Sequence, residues 1–164
     1  MQVPEAAWGT LDADGKRRRL LDAAERVFVR AGIDAPVPEI AAEAGTGIGT
    51  VYRQFSCREE LVAALVLERI AWSEAQVRER DAAAGAAGAA LEAVLVRLVE
   101  RQGYDDVLAE ALARTSGREE VALAVASFMD ALGALLARAR AEGSVRADAT
   151  LDDVGLLFAA TRAA

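Results

Sequence analysis

Thr46, Gly47, Ile48, Gly49, Thr50, Tyr52, Arg53 and Gln54 bring hydroxyls, an amide, a guanidinium and two glycines into nine consecutive residues. Hydroxyls and guanidinium groups donate to phosphate oxygens, and an arginine fork matches the O6 and N7 acceptors of guanine. Glycine lets a backbone approach a ligand closely, so Gly49 marks a point where a duplex can come near the chain. Free N–H groups opening a helix at Thr46, Gly47 and Ile48 favour phosphate. Ile48 has two readings, contact with a thymine methyl or packing in a core. Upstream, Lys16-Arg17-Arg18-Arg19 offers Lys16 and Arg17 as phosphate contacts or a minor-groove arm, against a solvated helix start. Downstream, Arg58 is a candidate backbone contact, and Cys57 beside it has two readings, a thiolate that senses oxidants or, favoured, a small residue with no required chemistry.

These side chains need a particular support. Glu39 to Ala44 reads as a short helix, Gly45 to Gly47 as a tight turn, and Ile48 to Phe55 as a second short helix. That is a helix-turn-helix, whose second helix enters a major groove. Val51 and Phe55 form its thin apolar side, while Ile40 and Ala44 hold the first helix to a core. Leu20, Leu21, Ala24, Val27, Phe28 and Ala31 make a helical stripe from Lys16 onward, stopped by Gly32. Ile33 to Pro38 is a connection, its two prolines suited to a helix start. The residues before Lys16 lack periodicity and read as an arm.

A long helix follows Phe55, with Ser56 and Glu59, or Cys57 and Glu60, at capping-box spacing. It ends in the Asp81–Gly88 tract. Four further helical patterns follow, centred on Leu91–Val99, Tyr104–Leu112, Val121–Ala139 and Leu151–Phe158. In the third of these, Val121, Val125, Phe128, Leu132, Leu135 and Ala139 repeat at alternating four and three. Ser116 with Glu119 fits another capping box, Gly143 stops the third pattern, and Thr150 opens the last. The count is about eight helices. With 39 alanines and three prolines in 164 residues, the expected class is all-α. A three-helix head carrying the helix-turn-helix precedes a helical-bundle body.

Composition excludes several functions. There is no histidine, which removes histidine acid–base catalysis and metal ligation. A single cysteine permits no internal disulfide or thiolate cluster. No phosphate-binding glycine loop or convergent carboxylate set is present, so neither an enzyme nor a cofactor or metal is expected. The chain shows no basic-then-apolar leader and no apolar run of 18 residues, and the cytoplasm is the default compartment, with no membrane. Net charge is −7, divided as −2 over residues 1–70 and −5 over residues 71–164. Affinity for DNA must therefore come from local placement rather than bulk charge.

Leu20-Leu21-Asp22-Ala23-Ala24, Phe28, Gly32, Glu39-Ile40-Ala41, Ala44-Gly45, Gly49-Thr50-Val51-Tyr52, Phe55 and Arg58-Glu59-Glu60-Leu61 resemble the tetracycline-repressor (TetR) family of transcriptional regulators. The resemblance runs without a gap over residues 16–65, and beyond them rests on helix order and the Glu142–Arg146 turn. It implies a homodimeric repressor that binds a pseudo-palindromic operator in double-stranded DNA. A small molecule of unknown identity, bound in the body, would change the separation of the two heads. Two recognition helices must lie about 34–36 Å apart to read successive grooves, so a small change releases the operator. The resemblance divides the chain into an arm and DNA-binding head, residues 1–55, and a ligand-binding and dimerisation domain, residues 56–164. Against the family's pattern, that second domain is expected to be incomplete at its C-terminus. Trp72, Tyr104, Phe128 and Met129 are the large side chains a ligand pocket would use, and their stripe spacing suits a core equally. The alternative function is a helical protein–protein adaptor working through the Val121–Ala139 seam.

Overall fold

The computed structural model describes residues 8–83, 85–101 and 105–162. Among them are eight α-helices and no strand, as the composition predicts. The helices are α1 (Ala13–Ala31), α2 (Val37–Ala44), α3 (Ile48–Gln54), α4 (Arg58–Ala82), α5 (Ala87–Glu100), α6 (Asp105–Thr115), α7 (Glu119–Ala141) and α8 (Leu151–Arg162). A single 3₁₀ turn, Trp8–Thr10, precedes them where an aperiodic arm was expected. The chain forms two compact units. One holds the described residues up to Val66 together with Asp106–Thr115, and the other holds Leu67–Asp105 and the described residues from Ser116 onward.

In the first unit α1 packs on α2 and α2 on α3. Leu20, Leu21, Ala24, Val27 and Phe28 are all buried, so the stripe read from the sequence is the core face. Ala31, at the other end of that stripe, is exposed because the helix is already leaving the core. The helix also begins three residues before Lys16: the Asp12 carboxylate accepts from the Gly15 amide at 2.7 Å, a cap that makes the earlier start stable. Between α1 and α2, Ile33, Ala35 and Val37 are buried while Asp34 and Pro36 are exposed. This connection turns at Gly32–Ala35, where the Ala35 amide donates to the Gly32 carbonyl at 3.0 Å. Each of Phe28, Phe55, Leu20, Ile33, Ile40 and Leu61 is fully buried, a contribution of about 1.5–3 kcal/mol apiece.

The turn of the helix-turn-helix has a specific hydrogen-bond solution. Gly45 adopts φ 70°, its amide donates to the Ala42 carbonyl at 3.1 Å, and the Thr46 amide donates to Ala41 at 2.9 Å. That is a Schellman cap, which needs a left-handed residue where glycine stands. At the start of α4, Glu60 rather than Glu59 accepts from both the amide and the hydroxyl of Ser56. Cys57 therefore occupies the cap position without supplying the hydroxyl, and Ser56 does so from one residue earlier.

In the second unit α5 packs against α7 and α7 against α8. Val77, Leu91, Val94, Leu98, Leu132, Leu135, Leu136 and Ala139 form its core. The α7 seam is confirmed: Val121, Leu132, Leu135 and Ala139 are buried and Val125 and Phe128 are half-buried. A second Schellman cap closes α7, with Gly143 at φ 73° and the Ser144 amide donating to Ala139 at 3.1 Å. The start of α7 differs from expectation: Arg118, not Ser116, holds the cap position, makes no side-chain cap bond, and donates to Glu120 at 2.7 Å. By length and composition α7 is apolar enough to cross a membrane, a measure that core helices of water-exposed proteins also meet.

Candidate nucleic-acid interface

Val51 and Phe55 are 2% and 1% exposed, and they seat α3 on the core of the first unit. At about 100° per residue, this seating turns the opposite side outward. Ile48, Gly49, Tyr52 and Arg53 are exposed, with Ile48 at 44% and Tyr52 at 50%. Gly49 and Arg53 lie one turn apart on that outward side, and Ile48 and Tyr52 lie one turn apart along its flank. Thr46, Thr50 and Gln54 are half-buried at the margins. Gly47 is extended, φ −89° and ψ 153°, and leads the chain into the helix. The Arg53 guanidinium donates from Nη2 to Thr50 Oγ1 at 2.8 Å, so two of the candidate contacts are tied to each other. Of the two readings of Ile48, its exposure disfavours core packing.

The flanking basic residues divide. Arg17 stacks on the Phe55 ring, its guanidinium carbon 4.6 Å from the centroid, and Lys16 is half-buried beside it on α1. Arg17 thus braces the end of α3 while keeping its charge near it. Arg58 is placed differently from expectation. It donates from Nη1 to the Ala35 carbonyl at 2.7 Å and from Nη2 to the Ile33 carbonyl, and it lies over the Phe28 ring. Its guanidinium faces inward because the turn between α1 and α2 presents two carbonyls that no helix uses. Cys57 is exposed.

Other ion pairs of this unit carried no sequence signal. Glu43 of α2 accepts from Arg26 at 2.8 Å and Arg30 at 3.4 Å, and these bonds, Arg26 first, hold its carboxyl below the ordinary value. Asp34 accepts both arms of Arg114, at 2.7 and 2.9 Å, across 80 residues of sequence. The Arg114 hydrogen bond is the main cause that lowers the Asp34 carboxyl, against a smaller desolvation effect. Arg114 also accepts the proximity of Glu110, to which it donates at 2.6 Å, so the last turn of α6 is fastened to the α1–α2 connection.

In the second unit, the side chains expected to line a ligand pocket are dispersed. Trp72 is stacked by Arg69 at 5.3 Å and Arg101 at 4.5 Å. Phe128 packs against the core and Met129 is exposed, while Tyr104 lies outside the described residues. A groove of about 660 Å³ runs instead along α5, lined by Leu91, Leu95, Val96 and Val99 with Val145 and Leu157 opposite and Glu92 and Glu100 at its edge. None of Trp72, Phe128 and Met129 lines it. Among the described residues no cluster of three metal-ligating side chains occurs.

Comparison with known proteins joins these observations. Residues 20–65 match the family described as bacterial regulatory proteins, tetR family, and residues 86–164 match the C-terminal domain of SbtR-like transcriptional regulators. A TetR transcription regulatory protein from Mycobacterium vanbaalenii is 34% identical, with 90% of this chain and 89% of that one covered and a TM-score of 0.70. A TetR transcriptional regulator from Streptomyces coelicolor is 33% identical, over 88% of this chain and 83% of that one, at 0.64. The fatty acid degradation regulator FadR from Bacillus halodurans, 19% identical over 92% and 82%, shares the fold at 0.67. No curated protein matches.

Proposed function

This chain belongs to the tetR family of bacterial regulatory proteins, and from that premise we propose that it is an operator-binding repressor released by a small molecule. The observation that carries the reading is the outward side of α3, where Ile48, Gly49, Tyr52 and Arg53 stand exposed on a helix seated by Val51 and Phe55. Thr46, Gly47, Thr50 and Gln54 complete the contact set at its margins, and Lys16 and Arg17 add charge beside it. Arg58 leaves that set, because a guanidinium engaged with two backbone carbonyls serves the head itself. Residues 1–55 act as the DNA-reading part and residues 56–164 as the part that binds the effector and a second copy, in the cytoplasm. The groove along α5 suits an apolar effector, since its volume lies within the roughly 300–1,000 Å³ of small-molecule sites.

The test is binding to the DNA upstream of the protein's own coding region across a range of salt. Each phosphate neutralised steepens the dependence of log K on log salt by about 0.9. Tyr52→Ala should lower affinity for all sequences alike, whereas Arg53→Ala should also relax preference at one base pair, as loss of a fork on guanine requires. Unchanged binding by both variants sinks the reading.

A further inference from the structure

The groove along α5 has apolar walls and polar side chains of a single kind. Leu95, Val96 and Val99 follow one side of the helix, with Val145 and Leu157 facing them. The polar side chains at it are Glu92, Glu100 and Ser144, and among the described residues no arginine, lysine, asparagine or glutamine lines it. The Ser144 hydroxyl donates to the Ala139 carbonyl at 2.9 Å, so its proton is committed and the lining side chains offer acceptors without a donor. The two carboxylates differ. Arg97 holds Glu100 at 3.2 Å, whereas Glu92 makes no ion pair among the described residues. Arg146, next to Val145, is engaged by Asp153 at 2.7 Å and lies 3.7 Å from Asp148. At the start of α5 the Glu142 carboxylate accepts from the Ala87 amide at 2.6 Å, so the positive end of that helix already has its anion.

Resting on the reading of this chain as a regulator released by a small molecule, we infer the chemical class of that molecule: a cationic amphiphile, an apolar body carrying one ammonium group. Glu92 takes the cation, and the apolar body lies along Leu95, Val96 and Val99. Glu92 and Glu100 lie eight residues apart, about 12 Å along the helix, and that run sets the length of the body. Charge does the selecting. A carboxylate of the same shape brings a further anion beside Glu92 and Glu100, with no side chain to donate to it. An alcohol gains the walls without the ion pair. Because Glu92 is exposed, the ion pair supplies preference more than strength, and the buried tail supplies most of the affinity.

The probes are octylammonium, octanol and octanoate, alike in chain and different in charge, titrated calorimetrically into the full chain without DNA. Octylammonium should bind about fivefold more tightly than octanol, with octanoate weakest of the three. Butylammonium should be weaker than octylammonium by about two- to fourfold for each methylene removed from the groove. Added salt should shrink the gap between octylammonium and octanol. Glu92→Gln should bring octylammonium down to octanol and leave octanol unchanged. Glu92→Lys, a change at an exposed position, should reverse the order and favour octanoate. Val96→Ala should weaken octylammonium and octanol by the same factor, as a contact with the tail alone requires. Octanoate binding as tight as octylammonium in the wild type, or an order unmoved by Glu92→Lys, overturns the class. So does failure of all three probes to bind, and if Glu92→Lys then shifts sedimentation, a second copy covers the groove. A separate titration adds octylammonium to the chain on its operator. Binding to the chain that leaves the DNA in place upholds the class and overturns release by a ligand in this groove.

Discussion

Arg58 and Asp34 show how single side chains hold the first unit. Arg58 satisfies the carbonyls of Ile33 and Ala35 and covers Phe28, so it closes the α1–α2 connection over the core. Hydrogen bonds from a charged donor contribute about 1.5–3 kcal/mol, and Arg58→Ala should lower stability by about 2 kcal/mol in urea unfolding. Arg58→Lys should recover little of this, since one ammonium cannot span two carbonyls as a planar fork does. Asp34 is exposed, and its pair with Arg114 acts through pH. Its folded value lies below the ordinary 3.8, so its contribution is complete above 3.8 and is lost as pH falls through the lower folded value. Asp34→Asn should therefore lower Tm slightly at pH 7, and the difference from wild type should vanish in thermal scans well below pH 3.8.

At the scale of elements, two joints of the second unit are open to direct test. The Ala87 amide donates to Glu142 at 2.6 Å, and a Cβ on Gly88 would overlap the Oγ and Cβ of Ser144. The start of α5 is thus pressed against the turn that ends α7. Gly88→Ala should cost about 1–3 kcal/mol in denaturant unfolding, and the added Ser144→Gly change should restore most of it. At the start of α8, the Thr150 amide and hydroxyl both donate to Asp153, and the Asp153 amide donates back to the Thr150 hydroxyl. This reciprocal cap lowers the Asp153 carboxyl, chiefly through the Thr150 amide. Thr150→Ala should cost about 1 kcal/mol, read as a lower Tm at neutral pH.

For the whole molecule, charge and exposed apolar surface set the expectations. With a net charge of −7, the chain gains little from non-specific attraction to DNA, so its binding should collapse quickly with salt away from the preferred sequence. Leu123, Leu156 and Leu157 are exposed at 63%, 69% and 47%, on the two helices that close the second unit. Exposed side chains of this size on neighbouring helices fit the proposed pairing of two copies. Leu156→Arg should then shift sedimentation from dimer toward monomer and weaken operator binding, while the helical content stays unchanged.

Periodicity and punctuation determined much from the sequence alone. The stripes of α1 and α7, the left-handed Gly45 and Gly143, and the α2–turn–α3 spacing are local features, because helix faces and Schellman caps are set within a few residues. The outward residues of α3 followed once Val51 and Phe55 were recognised as its seat. Only tertiary structure decided the rest. Arg58 reads as a contact to the DNA backbone until the Ile33 and Ala35 carbonyls are brought to it, and nothing local joins Asp34 to Arg114 across 80 residues. The groove along α5 was likewise hidden, since an apolar stripe looks the same whether a helix covers it or a cavity opens beside it. Contacts between residues distant in the chain depend on how elements pack, and that packing is the sum of many small terms no single segment contains.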